Sequence, residues 1–271
     1  MDDGVQASEV TLMGHQHLLN IPKSKDWRQV VALISGGASM AKIAGATSRA
    51  VERSMIEAAD DPTVRQTFYL LTQLPLAARA EDFGRELRQL GLRVGASPTL
   101  IEIGNAMMES IDQFTSRLGR RTDYGEIAQL SAVESIQAVA GRELPDLFGT
   151  GADRVQDVLA GLGTVKQFAI LARDFFSRLT RRHLNFYLHR ELSNHVGIGR
   201  RFSSMAEHQE FEAAFSLHCS ESSRIIKEFA GEWFSKHVFE GGIDRDKAGR
   251  FVHVAAKKIR EELRRREPQD A

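Results

Sequence analysis

A single cysteine in 271 residues, Cys219, excludes an intramolecular disulfide and any cysteine-rich zinc cluster, and it suits a reducing cytoplasm. Net charge is also missing: 36 lysines and arginines balance 36 aspartates and glutamates. That balance excludes a surface given over wholly to nucleic acid or anionic lipid, and leaves room only for a local patch. No apolar run reaches the length of a membrane span, and Met1-Asp2-Asp3 opens acidic with no apolar segment after it. A soluble cytoplasmic chain with neither signal peptide nor membrane partner is expected. The chain has no HExxH, no His-Asp dipeptide, no Glu-x-x-His, no Walker lysine motif and no dinucleotide glycine fingerprint, so no metal and no cofactor are expected. Windows alternating with period two are almost absent and β-branched residues are scattered, which argues against a sheet.

What is present is helical periodicity with chemical punctuation. Residues 1–24 lack that periodicity and read as an extended or flexible arm, in which His15 and His17 are two polar residues rather than a metal pair. From Asp26 onward, helix starts and stops recur. Asp61-Pro62 and Ser97-Pro98 are start signals, Thr122-Asp123 is a cap, and Gly36-Gly37, Gly91, Gly119, Gly141 and Gly241-Gly242 are ends. Pro75 is expected to interrupt the helix that begins at Pro62. One longer segment is expected from Ser39 through Ile56, and another from Met205 to Phe239 with Phe211, Phe215, His218, Ile225, Phe229 and Trp233 on one stripe. The chain therefore predicts an all-α bundle of about ten helices. The stretch 142–152, with one of only six prolines and two glycines, divides it into helical subdomains at 25–143 and 152–271.

The densest periodicity lies in Val165–Arg201. At about 100° per residue, Phe168, Ala172, Phe175, Leu179 and Phe186 share a stripe, and Leu184, Leu188 and Leu192 form a second one opposite. A helix apolar on two sides packs on two sides, so this one is expected at the centre, running to about His195. Arg182, His183, His189 and Arg190 fall within roughly 60° of the first stripe and are expected to face a crevice, because unpaired cations are rarely buried. Gly197-Ile198-Gly199-Arg200-Arg201-Phe202-Ser203-Ser204 then offers backbone N–H groups and two guanidinium forks to an anion, and Ser203 or Ser204 caps the next helix. The same octapeptide also reads as a plain interhelical turn with solvated arginines.

Arg190-Glu191-Leu192-Ser193-Asn194-His195, an arginine followed at short spacing by a histidine on a helical background, resembles the motif of the HEPN ribonucleases. The resemblance implies attack by the RNA 2′-hydroxyl on the adjacent phosphate without a metal, with motifs paired across two protomers. Arg190 would hold the phosphorane charge and His195 would move the proton. Glu191 stands where that family often has a smaller polar residue. Arg190 and His195 can equally pair with carboxylates or close a helix end.

The leading expectation is a non-enzymatic helical interaction subunit of an intracellular assembly. Arg182, Arg190, Arg200 and Arg201 are its anion or partner contacts, and its partner is another protein or a second copy of the chain. A metal-independent ribonuclease using Arg190 and His195 is one alternative. The other is a helical RNA- or DNA-binding protein using Arg200, Arg201 and the terminal arginines.

Overall fold

The computed structural model describes residues 24–144 and 152–266. The arm at 1–23 with His15 and His17, most of the expected boundary at 142–152, and the last residues of the chain lie outside the described residues. Within them the chain is all-α, with twelve α-helices and three short 3-10 segments and no strand.

The helices follow local chemistry closely. After α1 (Lys25–Ser35), α2 (Met40–Ala50) and α3 (Glu52–Asp60), the Asp61 carboxylate caps α4 (Pro62–Ala77) by accepting from Thr63 N at 2.8 Å and Val64 N at 3.1 Å. Its other oxygen accepts from Thr122 Oγ1 at 2.8 Å, which ties the start of α4 to the start of α7 (Asp123–Ala140). A full capping box, Thr99 with Glu102, opens α6 (Leu100–Arg117) after α5 (Phe83–Gln89).

Four expectations need correction. Ser97-Pro98 does not open α6, which begins at Leu100 with Thr99 as its cap. The segment from Ser39 is two helices, because the chain leaves helical geometry at Val51. Pro75 does not end α4, which continues to Ala77: it lies in the last turn, so its missing N–H disrupts little helix beyond it. The segment from Met205 is α10 (Met205–Ser222), a 3-10 stretch (Ser223–Glu228) and α11 (Ala230–Phe239). Ser223 donates its hydroxyl back to Cys219 O at 2.8 Å where α10 stops.

After α8 (Ala152–Gly161), α9 (Val165–Leu192) runs unbroken through Thr180 for 28 residues and ends in a 3-10 turn, Ser193–His195. It packs against α2, α7, α10 and α11, burying Phe168, Ala172, Phe175 and Phe176 from one stripe and Leu184, Leu188 and Leu192 from the other. Gly231 of α11 is obligatory here, since a Cβ would stand 2.0 Å from the Val165 carbonyl oxygen. The last helix, α12 (Arg245–Arg265), lies on α3 and α4. Phe68 of α4 stacks on Phe251 of α12 at 5.1 Å and meets Phe176 of α9 at 5.3 Å, while Trp233 of α11 lies 4.4 Å from Phe251. Each such ring contributes about 1.5–3 kcal/mol by leaving water. Residues from both sides of 145–151 thus share one apolar cluster.

Candidate functional site

The arginines of α9 and of the loop after it occupy two different settings. Between Arg173 and Arg182, three of the four arginines meet carboxylates, and Arg181 forms no ion pair among the described residues. Arg178 donates Nε to Asp174 at 2.5 Å and Nη1 to Glu134 of α7 at 2.9 Å, and Arg182 bonds the other oxygen of Glu134. Burial alone would raise the Glu134 pKa, but the two guanidiniums outweigh it and hold the carboxyl below its ordinary value. Arg173 reaches Glu221 at 3.6 Å. Arg182, expected in a basic crevice, is therefore part of a paired seam between α7 and α9.

Beyond the end of α9 the chain makes a small closed loop. Phe202 N donates to His195 O at 2.9 Å, Gly197 N to Phe202 O at 2.8 Å and Arg200 N to Gly197 O at 3.1 Å. Gly197 and Gly199 have φ of +134° and +73°, which side chains bearing a Cβ rarely adopt. Phe202 is buried against Phe211 and His208, both at 5.4 Å, and anchors the base of the loop. Ser204 caps α10, and Glu207 accepts from Ser203 N and Oγ, both at 2.7 Å. Those Ser203 hydrogen bonds lower the Glu207 pKa. At the tip, Ile198 is fully exposed.

Arg200 and Arg201 stand beside that tip. Arg200 bonds Asn194 O through Nη1, and Arg201 donates Nη2 to Ala38 O at 3.2 Å while lying 5.4 Å from the Phe202 ring centre. With His195 and the Gly36-Gly37 turn after α1 they line an open cleft of about 440 Å³. His195 Nε2 lies 3.2 Å from Glu191 Oε1, an i,i+4 pair at the end of the helix. Arg190 is outside the cleft lining, exposed, with its guanidinium 4.8 Å over the Phe186 ring. Among the described residues, no carboxylate forms an ion pair with Arg190, Arg200 or Arg201. The structure thus brings His195, Arg200 and Arg201 together and sets Arg182 and Arg190 elsewhere. The glycine turn opposite them comes from a part of the chain that no local pattern linked to the loop.

A second cluster was not expected from the sequence, and it takes in His183, which, expected to face a crevice, is instead buried. Ser54 Oγ of α3 lies 2.5 Å from Tyr187 Oη, 3.0 Å from His183 Nε2 and 3.2 Å from Tyr124 Oη. Tyr124 donates to Glu57 at 3.2 Å, so its proton is used and Ser54 must donate to Tyr124. Ser54 then accepts from Tyr187 and from the protonated Nε2 of a neutral His183. Burial pushes the His183 pKa down to about 4 and the Tyr187 pKa up to about 12. A serine beside an imidazole can be a nucleophile and its base, but here the proton count runs the other way and the ring and phenols are buried. The cluster is a polar cross-link of α3, α7 and α9. Its one visible trace in the sequence is that two of only three tyrosines meet there.

Other candidates fall inside the fold. Cys219 is buried, which pushes its thiol up to about 12, away from a nucleophile's range. His218 is buried as the polar member of its stripe, and burial lowers its pKa. Arg260 and Arg264 pair with Glu52 at 3.1 and 2.6 Å, and Arg265 and Arg266 with Glu262 at 2.8 and 3.7 Å. Among the described residues no group of three or more His, Cys, Asp or Glu is placed to hold a metal ion, and no helix is long and apolar enough to cross a membrane. No family model, curated protein or solved structure matches the chain.

Proposed function

We propose that this chain is a non-enzymatic helical interaction subunit of an intracellular multi-protein assembly. In this reading α9 is the central support of the bundle, and the loop at its end is the contact. The partner is an acidic protein surface with an apolar hollow that receives Ile198, while Arg190, Arg200 and Arg201 meet its carboxylates. The observation that carries the reading is Ile198: a large apolar side chain fully exposed at the tip of a hydrogen-bonded loop, beside arginines that form no ion pair among the described residues. Exposed apolar anchors on a pre-ordered backbone supply affinity at low ordering cost, and the flanking charge steers the encounter.

The test is capture from the host with the tagged full chain. An acidic protein is retained at low salt and released as salt rises, and Ile198→Asp lowers its retention by at least about tenfold, whereas Phe239→Asp, at another exposed position, leaves it unchanged. Equal retention by the Ile198→Asp protein, or co-elution of nucleic acid in place of a protein, contradicts the proposal.

A second reading has one observation in its favour. His195, oriented by Glu191, opens into the same cleft as Arg200 and Arg201, which is a proton-transfer group beside two phosphate-binding forks. A metal-independent ribonuclease would use it, with Arg200 or Arg201 taking over the role first given to Arg190. RNA cleavage in chelator that disappears in a His195→Ala protein would favour this reading, and unchanged cleavage would remove it. The nucleic-acid-binding reading keeps Arg200 and Arg201 but loses the terminal arginines to their ion pairs.

A further inference from the structure

Four elements from three stretches of the sequence meet around another pocket, of about 280 Å³, which shares no lining residue with the cleft at His195. Arg142 comes from the 3-10 turn after α7, Arg173, Asp174 and Ser177 from α9, Ser220 from α10, and Lys227 from the 3-10 stretch after α10. Three cations therefore line one small, mostly polar hollow, with Ile170 of α9 as its apolar member. Its only acid, Asp174, is held by Arg178 at 2.5 Å, so its charge is compensated from outside the pocket. Arg173 is oriented by Ser220, with Nη2 at 3.3 Å from both the carbonyl oxygen and Oγ, and Glu221 lies 3.6 Å away. Arg142, Lys227, the Ser177 hydroxyl and Nη1 of Arg173 have no partner among the described residues.

Arg142 and Lys227 have no counter-charge among the described residues, while Arg173 shares its charge with Glu221; a bound anion would offset the two uncompensated charges while engaging the guanidiniums and hydroxyls in charge-assisted hydrogen bonds. The volume lies below the range of about 300–1,000 Å³ typical of drug-sized ligands, so the ligand is small. The polar lining excludes an apolar one. We propose that this pocket binds a small phosphate anion, either as free phosphate or pyrophosphate or as the phosphate of a small ester. Lys227 and Arg142 supply charge from the rim, Arg173 supplies an oriented guanidinium, and the two serines donate hydroxyls to the remaining oxygens. Because the ligand would touch residues around the ends of α7 and α10 together with α9, its binding would brace the junction of these helices.

Calorimetric titration of the full chain with orthophosphate, pyrophosphate and glycerol phosphate, each against sodium chloride of equal ionic strength, tests this directly. One ion per chain is expected. Lys227→Glu and Arg142→Glu, both at exposed positions and checked by thermal melting, should each weaken binding by at least about tenfold, while Arg200→Glu/Arg201→Glu should bind like the parent. Tighter pyrophosphate identifies the free ion as the ligand, and tighter glycerol phosphate the ester; either supports the site. No binding beyond the chloride control overturns the proposal, as does unchanged binding by Lys227→Glu or loss of binding in the Arg200/Arg201 variant.

Discussion

Along α9, Arg173, Arg178 and Arg182 each reach a carboxylate, whereas Arg190 near its end and Arg200 and Arg201 beyond it pair with none among the described residues. The chemistry is the same and the circumstances are opposite. The paired set is about three-quarters shielded and lies between helices, where a carboxylate compensates each guanidinium: Glu134 ties Arg178 and Arg182 to α7, and Glu221 ties Arg173 to α10. In the unpaired set, Arg190 is exposed near the end of α9, and Arg200 and Arg201 lie on a loop closed by Phe202 and three backbone hydrogen bonds, where, among the described residues, their guanidiniums hydrogen-bond only to the backbone carbonyls of Asn194 and Ala38. Charge that the fold does not consume remains available for a contact outside the chain.

The largest effect expected on the fold side comes from the buried cluster that joins α9 to α3 and α7. His183 has its pKa lowered to about 4 by burial, against 6.5 in an unfolded chain. As pH falls below 6.5 the unfolded state takes up the proton and the native state does not, so stability falls with pH until about pH 4. Between pH 7 and pH 5 the loss is on the order of 2 kcal/mol. The lowered pKa of His218 acts in the same direction. Urea denaturation at the two pH values measures the loss. His183→Gln, which can still donate to Ser54, should flatten the dependence, and an unchanged slope in that protein would mean that His183 is not the group responsible.

Glu134→Gln sharpens the comparison from the paired side. It leaves Arg178 with Asp174 alone and Arg182 without a carboxylate, and should lower stability by about 1–2 kcal/mol, between the values for exposed and for buried pairs. A shift of about 2–8 °C in the melting temperature would record it. No shift would show that the seam is as dispensable as a surface ion pair.

These differences also mark what could be read from the sequence. Helix ends were legible where the signal is local: Asp61 before Pro62, Ser204 before α10 and Gly91 after α5 act on their own neighbours. The apolar stripes of α9 were legible because helical spacing alone puts Phe168, Ala172 and Phe175 on one side. The division of Met205–Phe239 was not, since its stripe continues through a change of helix type at Ser223. The seam escaped for a related reason. Periodicity places Arg182 on a face of α9, but only the packing of α7 decides that Glu134 lies opposite. Within the candidate site, the loop at 195–201 was visible as glycines and arginines, while its opposite wall at Gly36-Gly37 and the three partners of Ser54 depend on tertiary contacts between distant segments.

The measurement that bears most directly on this division is a paired one on the Arg200→Glu/Arg201→Glu protein: its melting temperature, and the amount of acidic partner it retains from the host at low salt. The account predicts a loss of stability of no more than about 1–3 kcal/mol, from the side-chain hydrogen bonds to Asn194 O and Ala38 O, with retention reduced by at least about tenfold. A larger loss of stability, or a stability within that range with the partner retained in full, would contradict it.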